Sequence, residues 1–234
     1  MKRALRFLRN IFLVVLAVGL CAAGAVAFQG YKLYTSALEE MPLYKRVEQV
    51  RQQPDFTSLE SLPATYRDAV VAAEDHRFYT HGGIDLLAIG RAVWNDLCSL
   101  SFVEGGSTIT QQLAKNMLFT QEKDLCRKAA EVFAAWDLES HYSKDEILEL
   151  YVNSIYFGSG CYSVGAASQT YFEKDPAQMD ANECTLLAGI PNAPSVYDLS
   201  VNPELAAQRQ RQVVSSMLEH EFLTQEEAEE LLAS

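Results

Sequence analysis

The sequence lacks the short motifs that mark several common kinds of site. Its five cysteines form no Cys-x-x-Cys pair and show no cysteine–histidine spacing of the kind that binds zinc. No Gly-Lys-Ser or Gly-Lys-Thr follows its paired glycines, so a nucleotide P-loop is excluded. Strand-like runs are weak and do not alternate with helices, and internal repeats and low-complexity segments are absent. A helical protein without a nucleotide-binding sheet is therefore expected.

Positive charge is also scarce, since 19 basic residues face 31 acidic ones and the formal net charge is −12. A chain of this charge is not expected to bind nucleic acid. The basic residues Lys2, Arg3, Arg6 and Arg9 nevertheless fall within the first ten positions, which contain no acid. With 234 residues, the chain has room for one globular domain beyond this basic start.

An uncharged apolar run covers residues 11–28 and has about the length that crosses a bilayer. The basic residues before it place the N-terminus in the cytoplasm by the positive-inside rule. We therefore predict a cytoplasmic segment at 1–10, a transmembrane anchor at 11–28, a juxtamembrane connector at 29–54 and an extracytoplasmic domain at 55–234. A cleavable signal peptide is the main alternative, because small residues stand near the end of the run.

Two expectations concern residues in or next to the apolar run. Tyr31, Leu33 and Tyr34 are expected at the lipid interface, and lipidation of Cys21 is disfavoured because bulky Leu20 precedes it.

The four cysteines outside the apolar run permit three disulfide pairings or buried free thiols, and their spacing does not choose between these alternatives. These cysteines are Cys98, Cys126, Cys161 and Cys184.

Helical signals dominate the chain beyond residue 60 and predict a mostly α domain. They are the capping boxes Ser143/Glu146 and Thr224/Glu227, the pair Asn202-Pro203, and apolar residues at helical spacing at Leu62, Tyr66, Ala69, Val70 and Ala73. An apolar patch, LCSLSFV at 97–103, is interpreted either as a core helix or as a segment that dips into the membrane.

Glu74 and Asp75 form a carboxylate pair at the end of the helix predicted before them, in the segment EDHRFYTHGG. A carboxylate held against apolar surface has a raised pKa, which suits a general base near neutral pH. A solvated helix end is the alternative, and an isolated Glu-Asp dipeptide favours it.

The segment GGSTITQQLAKN at 105–116 predicts a helix that begins at Ser107 or Thr108. Ser107, Gln111 and Lys115 recur every four residues and share one face of that helix. Together with the partly positive helix N-terminus, they are typical of an anion site for a phosphate. A capped surface helix with outward polar residues would give the same pattern.

Two further segments are candidate parts of a functional site. Arg127 and Lys128 lie four and three residues before Glu131, so the three can meet on one helix face as an exposed ion pair or as a cationic cradle. The segment 151–172 is rich in aromatic residues, glycine and asparagine, which is common in sugar sites and also in cores.

In this order the four segments, together with LLAGIPNAPSVY at 186–197, closely resemble the peptidoglycan glycosyltransferase family. The resemblance implies a lysozyme-like α fold with a large lobe and a small membrane-proximal lobe. It also implies polymerisation of lipid II: Glu74 removes the proton from the GlcNAc 4-hydroxyl of lipid II, which attacks the growing chain with inversion and expels undecaprenyl pyrophosphate. The sequence contains no Ser-x-x-Lys motif of a transpeptidase, so a monofunctional enzyme is expected.

The resemblance also assigns roles to individual residues. Glu74 and Glu131 are implied as catalytic groups, and a divalent cation, Mg²⁺ or Mn²⁺, at Glu131 is a tentative implication, with no cofactor required with certainty. The donor and its pyrophosphate are implied to contact Ser107, Gln111, Lys115, Arg127 and Lys128. The positions that line or brace the cleft are Asp75, Phe78, His81, Asn153 and Tyr156, with His81 structural.

The implied partners are lipid II, the growing glycan chain, the bacterial cytoplasmic membrane and other cell-wall synthesis proteins. Two other functions remain as alternatives. A lytic muramidase would also place two carboxylates in a helical cleft, but it has no pyrophosphate that needs a cationic cradle. A catalytically silent cell-wall scaffold would have no need to retain every acid and cation.

Overall fold

Helices form almost all of the regular structure in the computed structural model, which describes residues 2–91, 106–119 and 124–233. No strand occurs among these residues, which confirms the predicted mostly α fold. In chain order the α-helices are α1 (Lys2–Glu40), α2 (Leu43–Arg51), α3 (Ala64–Glu74), α4 (Ile109–Leu118), α5 (Leu125–His141), α6 (Lys144–Val152), α7 (Val164–Phe172), α8 (Ala181–Gly189), α9 (Pro194–Tyr197), α10 (Pro203–Glu219) and α11 (Gln225–Ala233). Short 3₁₀ helices cover Leu59–Ser61, Phe78–Thr80, Pro176–Gln178 and Ile190–Asn192, and residues 86–91 are also helical.

The predicted helix starts agree with the observed ones. Both capping boxes form: Ser143 and Glu146 bond reciprocally at the start of α6, and Thr224 and Glu227 do so before α11. Pro203 is the first residue of α10, where its missing N–H costs no hydrogen bond. These starts are local, because the capping groups lie within three residues of each other.

The region 29–54 differs from the predicted connector, because it is helical and packs against the rest of the chain. α1 continues without a break to Glu40, ends just before Pro42 and is followed by α2. Leu43, Val47 and Val50 of α2 recur at helical spacing and are buried in the core. The polar residues between them gave this stretch the composition of a linker, although three apolar positions suffice to bury one face.

The part of α1 that follows the apolar run packs on α5. Gly30 permits this approach, since a Cβ there would lie 2.6 Å from Ala129 Cβ. The ring of Tyr31 meets Phe133 edge-on, and the hydroxyl of Tyr34 donates a hydrogen bond to Asp137 Oδ2 at 2.7 Å. Tyr34 is therefore bonded to the domain as well as near the end of the apolar run.

The remaining helices enclose one hydrophobic core. α3 packs against α8 and α10, whereas α4 packs against α5 and α6. The largest fully buried side chains include Tyr66 of α3, Leu113 of α4, Leu138 of α5 and Tyr151 of α6, together with Phe78 of the 3₁₀ helix after α3. The C-terminal end of α3 and the N-terminal end of α4 are thereby fixed next to each other.

The cysteines that the structure describes are free thiols, namely Cys21, Cys126, Cys161 and Cys184. Cys98 lies outside the described residues, and so does the apolar patch 97–103. Cys161 and Cys184 are buried, which fits the alternative of buried free thiols for these two residues.

Candidate active site

Glu74 is the last residue of α3 and stands between a buried helix and a cleft. Its Oε2 atom accepts a hydrogen bond from Gln112 Nε2 at 2.8 Å. Its Oε1 atom is covered from solvent and receives no hydrogen bond from any residue that the structure describes. Burial raises the pKa of Glu74, against the opposing effects of the Gln112 hydrogen bond and the positive charges of Arg209 and Lys115. One carboxylate oxygen is therefore held in place and the other is left as an unoccupied acceptor.

Gln112 is held in turn by a buried tyrosine. The hydroxyl of Tyr151, on α6, donates to Gln112 Oε1 at 3.2 Å, which orients the amide nitrogen toward Glu74. Neither residue was predicted as a site residue from the sequence, which indicated Gln111 instead. Gln111 and Gln112 lie four and three residues before Lys115, so spacing along the helix does not choose between them.

Asp75 ties three segments together directly after Glu74. Its Oδ1 atom lies 2.7 Å from His81 Nε2, and its Oδ2 atom accepts the backbone N–H of Ile109 at 3.1 Å. Asp75 thus joins the end of α3 to the first residue of α4. His81 holds Asp75 and also contacts the carbonyl of Gly82, which agrees with a structural role.

Backbone N–H groups at the N-terminus of α4, where the sequence predicts an anion site, are bound by the protein's own side chains. Thr108 and Gln111 form a capping box, in which Thr108 Oγ1 accepts the Gln111 N–H and Gln111 Oε1 accepts the Thr108 N–H. The N–H of Ile109 binds Asp75. Gln111 is consequently buried rather than turned outward. Side chains of the protein already accept hydrogen bonds from these N–H groups, and one of them is the carboxylate of Asp75. A phosphate at this position would have to compete with those side chains and would be repelled by the carboxylate.

The cationic side chains instead meet on α5, as the spacing predicts. Arg127 binds Glu131 Oε1, and Lys128 Nζ lies 2.9 Å from Glu131 Oε2. Lys128 also donates to Ser107 Oγ at 2.6 Å, which connects this cluster to the segment before α4. Glu131 is buried, whereas the Lys128 side chain is 45% exposed. We call Lys115, Arg127, Lys128 and Glu131 the cation cluster.

Lys115 links the cation cluster to Glu74. It is half-buried, and burial lowers its pKa, while Glu131 and Glu74 both act in the opposite direction. Lys115 therefore lies within electrostatic reach of both glutamates.

A cleft of about 300 Å³ opens beside Glu74. Its wall carries a stacked pair of imidazoles, with the His76 and His220 ring centroids 3.8 Å apart. The cleft is lined by Ala72, Ala73, Glu74, Asp75, His76, Asp85, Ala88, Arg91, Gly106, Ser107, Thr108, Ser216 and His220. Glu74, Asp75 and Ser107 are the sequence-predicted candidates among them. The two histidines were not selected from the sequence, since nothing local pairs positions so far apart.

Three other predicted contacts face elsewhere. Phe78 is fully buried, with Lys144 Nζ 4.3 Å above its ring. The buried amide of Asn153 bonds the backbone of Thr57 in both directions and so braces the segment before α3. Tyr156 is partly exposed and its ring lies 4.8 Å from that of Tyr162. Phe78 and Asn153 therefore support the fold around the cleft and offer no surface to a substrate.

The described residues fit a resident divalent cation poorly. Both Glu131 oxygens are already paired with Arg127 and Lys128, so a metal would have to displace a cation. Side-chain ligand atoms of Asp75, His81 and Asp85 lie within 4.8 Å of one another. They are engaged as well, since Asp85 binds Arg77 and the N–H groups of residues 87 and 88.

The chain is similar to known proteins over the region that contains these residues. The family model described as Transglycosylase matches residues 40–218. Penicillin-binding protein 1A of Neisseria lactamica is 44% identical over 181 residues, covering 77% of this chain and 23% of the relative. Penicillin-binding protein 1F of Bacillus subtilis (strain 168) is 44% identical over 171 residues, covering 73% of this chain and 24% of the relative.

The crystal structure of penicillin-binding protein 1A from Haemophilus influenzae is also similar, at 30% identity, with 54% of this chain and 15% of that chain covered and a TM-score of 0.38. The chain spans about a quarter of the length of the curated relatives it matches. The family match includes α2, α3, the cation cluster and every residue of the cleft except His220. The chain therefore belongs to the transglycosylase family.

Proposed function

We propose that this chain is a peptidoglycan glycosyltransferase that polymerises lipid II into glycan strands. The observation that carries the proposal is the unoccupied Oε1 atom of Glu74, in a carboxylate whose pKa is raised and whose other oxygen is held by Gln112. A general base needs an oriented oxygen whose acceptor position is not already taken by another group of the protein. Membership in the transglycosylase family and the nearby cation cluster support the same reaction.

In the proposed reaction, Glu74 Oε1 takes the proton of the GlcNAc 4-hydroxyl of lipid II. The hydroxyl oxygen forms a bond to the anomeric carbon of the growing chain, and the bond from that carbon to undecaprenyl pyrophosphate breaks with inversion. Negative charge develops on the departing pyrophosphate, so positive side chains fixed nearby stabilise the transition state. Lys115, Arg127 and Lys128 fill this role, and Glu131 keeps the latter two in position.

The cation cluster distinguishes this reaction from lytic hydrolysis. A muramidase cleaves between neutral sugars and builds no charged diphosphate, so it does not require three cations beside its carboxylates. No metal-dependent step is proposed, because the Glu131 oxygens are already bound by the cluster.

We further propose that α1 anchors the protein in the bacterial cytoplasmic membrane, with the catalytic residues on the extracytoplasmic side. Residues 5–40 contain a window long and apolar enough to cross a bilayer, and none of that window is buried within the protein. The basic residues at the N-terminus support the orientation. The partners are then lipid II, the growing chain and the bilayer, together with other cell-wall synthesis proteins.

Conversion of purified lipid II into long glycan strands, by the protein in detergent, tests the proposal. Glu74→Gln should lower the rate by about 10² to 10⁴, the usual contribution of a general base. Asp68→Asn is a matched control, since Asp68 is a partly buried carboxylate on the same helix that does not line the cleft. Normal polymerisation by Glu74→Gln would contradict the assignment of the base. Shortening of preformed glycan without any polymer from lipid II would favour a hydrolase.

A further inference from the structure

The packing of α1 on α5 fixes the depth at which the cation cluster meets the membrane. The contacts between the two helices include Gln29 with Cys126, Gly30 with Ala129, Tyr31 with Phe133, and Tyr34 with Asp137. The partner number on α5 rises as the number on α1 rises, so the two helices run parallel. Because α1 leaves the apolar run at residue 28, the N-terminus of α5 points back toward that run.

The register of these contacts gives the depth of Leu125, the first residue of α5. The two pairs nearest the start of α5 differ by 97 and 99 in number, which sets Leu125 level with residues 26–28, in the last turn of the apolar run. Val26 is partly buried while residues 25, 27 and 28 are exposed, which agrees with an element reaching this level of α1. Leu125 itself is 74% exposed.

We propose that the first turn of α5 is a membrane-contacting surface, in which Leu125 enters the edge of the acyl-chain layer and Arg127 and Lys128 lie among the lipid phosphates. The inference rests on the proposed placement of residues 11–28 in the bilayer. An exposed leucine at the depth of the apolar run is stabilised by lipid, not by water. Two and three residues further along α5, the cations lie about 3 to 5 Å higher, where the headgroup layer begins.

This depth matters for a substrate that carries a lipid diphosphate. The diphosphate of such a carrier lies at the headgroup level while its chain stays in the bilayer. Arg127 and Lys128 then reach it without lifting the lipid chain into water, where exposed methylene groups are unfavourable. Gly30 is a positioning residue in this arrangement, since any larger side chain would push α5 away from α1.

Tryptophan fluorescence in vesicles of phosphatidylcholine brominated at acyl carbons 6 and 7 tests the inference. Bromine quenches an indole only at close range, so quenching reports depth. The chain has two tryptophans, Trp94 and Trp136. The test variant carries Leu125→Trp with both native tryptophans changed to Phe, and the matched control retains Trp136 alone through Trp94→Phe.

Trp136 is a suitable reference because it shares a helix and a face with Leu125. The two residues are eleven positions apart, which is about three turns and about 16 Å along the axis. Both are exposed, Trp136 by 50%. We expect at least twofold stronger quenching at position 125 than at Trp136, with a blue-shifted emission. Equal quenching, or stronger quenching of Trp136, would overturn the inference.

A third variant separates this inference from the proposed anchor. Val18→Trp, in the same background without native tryptophans, places the indole in the middle of the apolar run. Quenching at position 18 without quenching at 125 would refute the depth of α5 alone. Absence of quenching at position 18 would refute the membrane anchor and the inference together, whereas loss of polymerase activity would leave the depth measurement unaffected.

Discussion

Glu74 and Glu131 are carboxylates of one type in one site, but their surroundings differ. Both Glu131 oxygens are paired with cations, whereas Glu74 has one oxygen bound by a neutral amide and one covered oxygen without a described partner. A buried carboxylate whose two oxygens are both paired with cations holds those cations in position. One that is buried beside an amide is poised to take a proton. We propose that this difference separates a group that acts on substrate, Glu74, from one that positions other groups, Glu131.

Opposite effects on stability are the largest expected difference between the two glutamates. Glu131→Gln should lower the free energy of unfolding by about 1 to 3 kcal/mol, because it leaves Arg127 and Lys128 beside a group without charge. Glu74→Gln should raise that free energy at neutral pH, since it removes a buried charge. Urea unfolding in detergent measures both.

Glu139→Gln is the control for Glu131→Gln, since Glu139 lies on the same helix and pairs with Lys144 away from the cleft. It should cost stability while polymerisation continues, whereas Glu131→Gln should lower both. Equal losses of activity in the two variants would show that Glu131 acts only through the fold.

Removal of the Gln112 amide should turn Glu74 into a less well-oriented and less acidic group. A hydrogen bond to a charged group is worth about 1.5 to 3 kcal/mol, so Gln112→Ala should slow polymerisation by about 10- to 100-fold. Because this hydrogen bond lowers the pKa of Glu74, its loss should also move the acidic limb of the pH–rate profile to higher pH. An unchanged limb would show that Gln112 does not hold the carboxylate during turnover.

The pH dependence of the polymerisation rate should follow the titration of Glu74 and Lys115, whose pKa values are both shifted. Activity should fall on acidification at a pH above the ordinary pKa of a glutamate, since Glu74 must be ionised and burial raises its pKa. On the alkaline side, activity should be lost at a pH lower than the ordinary pKa of a lysine, because burial lowers the pKa of Lys115. Rate measurements from pH 4 to 10 give both limbs.

The same shift predicts how Glu74 affects stability. The folded state binds the Glu74 proton more tightly than the unfolded state does. The stabilisation that this proton gives to the folded state is therefore fully present below the unfolded-state pKa of Glu74, and it is lost as pH rises through the folded-state pKa. The stability gain of Glu74→Gln should therefore disappear under acidic conditions. A gain that is independent of pH would contradict this origin.

The smallest expected effect concerns two fully buried tyrosines. Tyr151→Phe removes the donor to Gln112 and should cost about 0.5 to 1.5 kcal/mol of stability, with a modest loss of rate. The Tyr66 hydroxyl is buried without a described partner, so Tyr66→Phe should be neutral or slightly stabilising. Thermal unfolding of both variants gives the comparison, and equal effects would show that the Tyr151 bond is not formed.

Helix starts and helix-face pairings were predictable because their partners lie within four residues. The capping boxes at Ser143 and Thr224 and the meeting of Arg127, Lys128 and Glu131 all formed as expected. The binding of Asp75 at the N-terminus of α4 was not predictable, because Asp75 comes from the end of another helix. The roles assigned to the site residues stay predictions until the variants are measured.

By itself, the sequence determined several helix starts beyond residue 60, where the long apolar run lies, and that Arg127 and Lys128 meet Glu131 on one helix face. Periodicity and capping are local, so composition and spacing suffice for them. Only the tertiary structure decided that Gln112 rather than Gln111 faces Glu74, that residues 29–54 join the core, and that α5 runs parallel to α1. These arrangements depend on contacts between residues far apart in the chain, which the pattern along one segment does not encode.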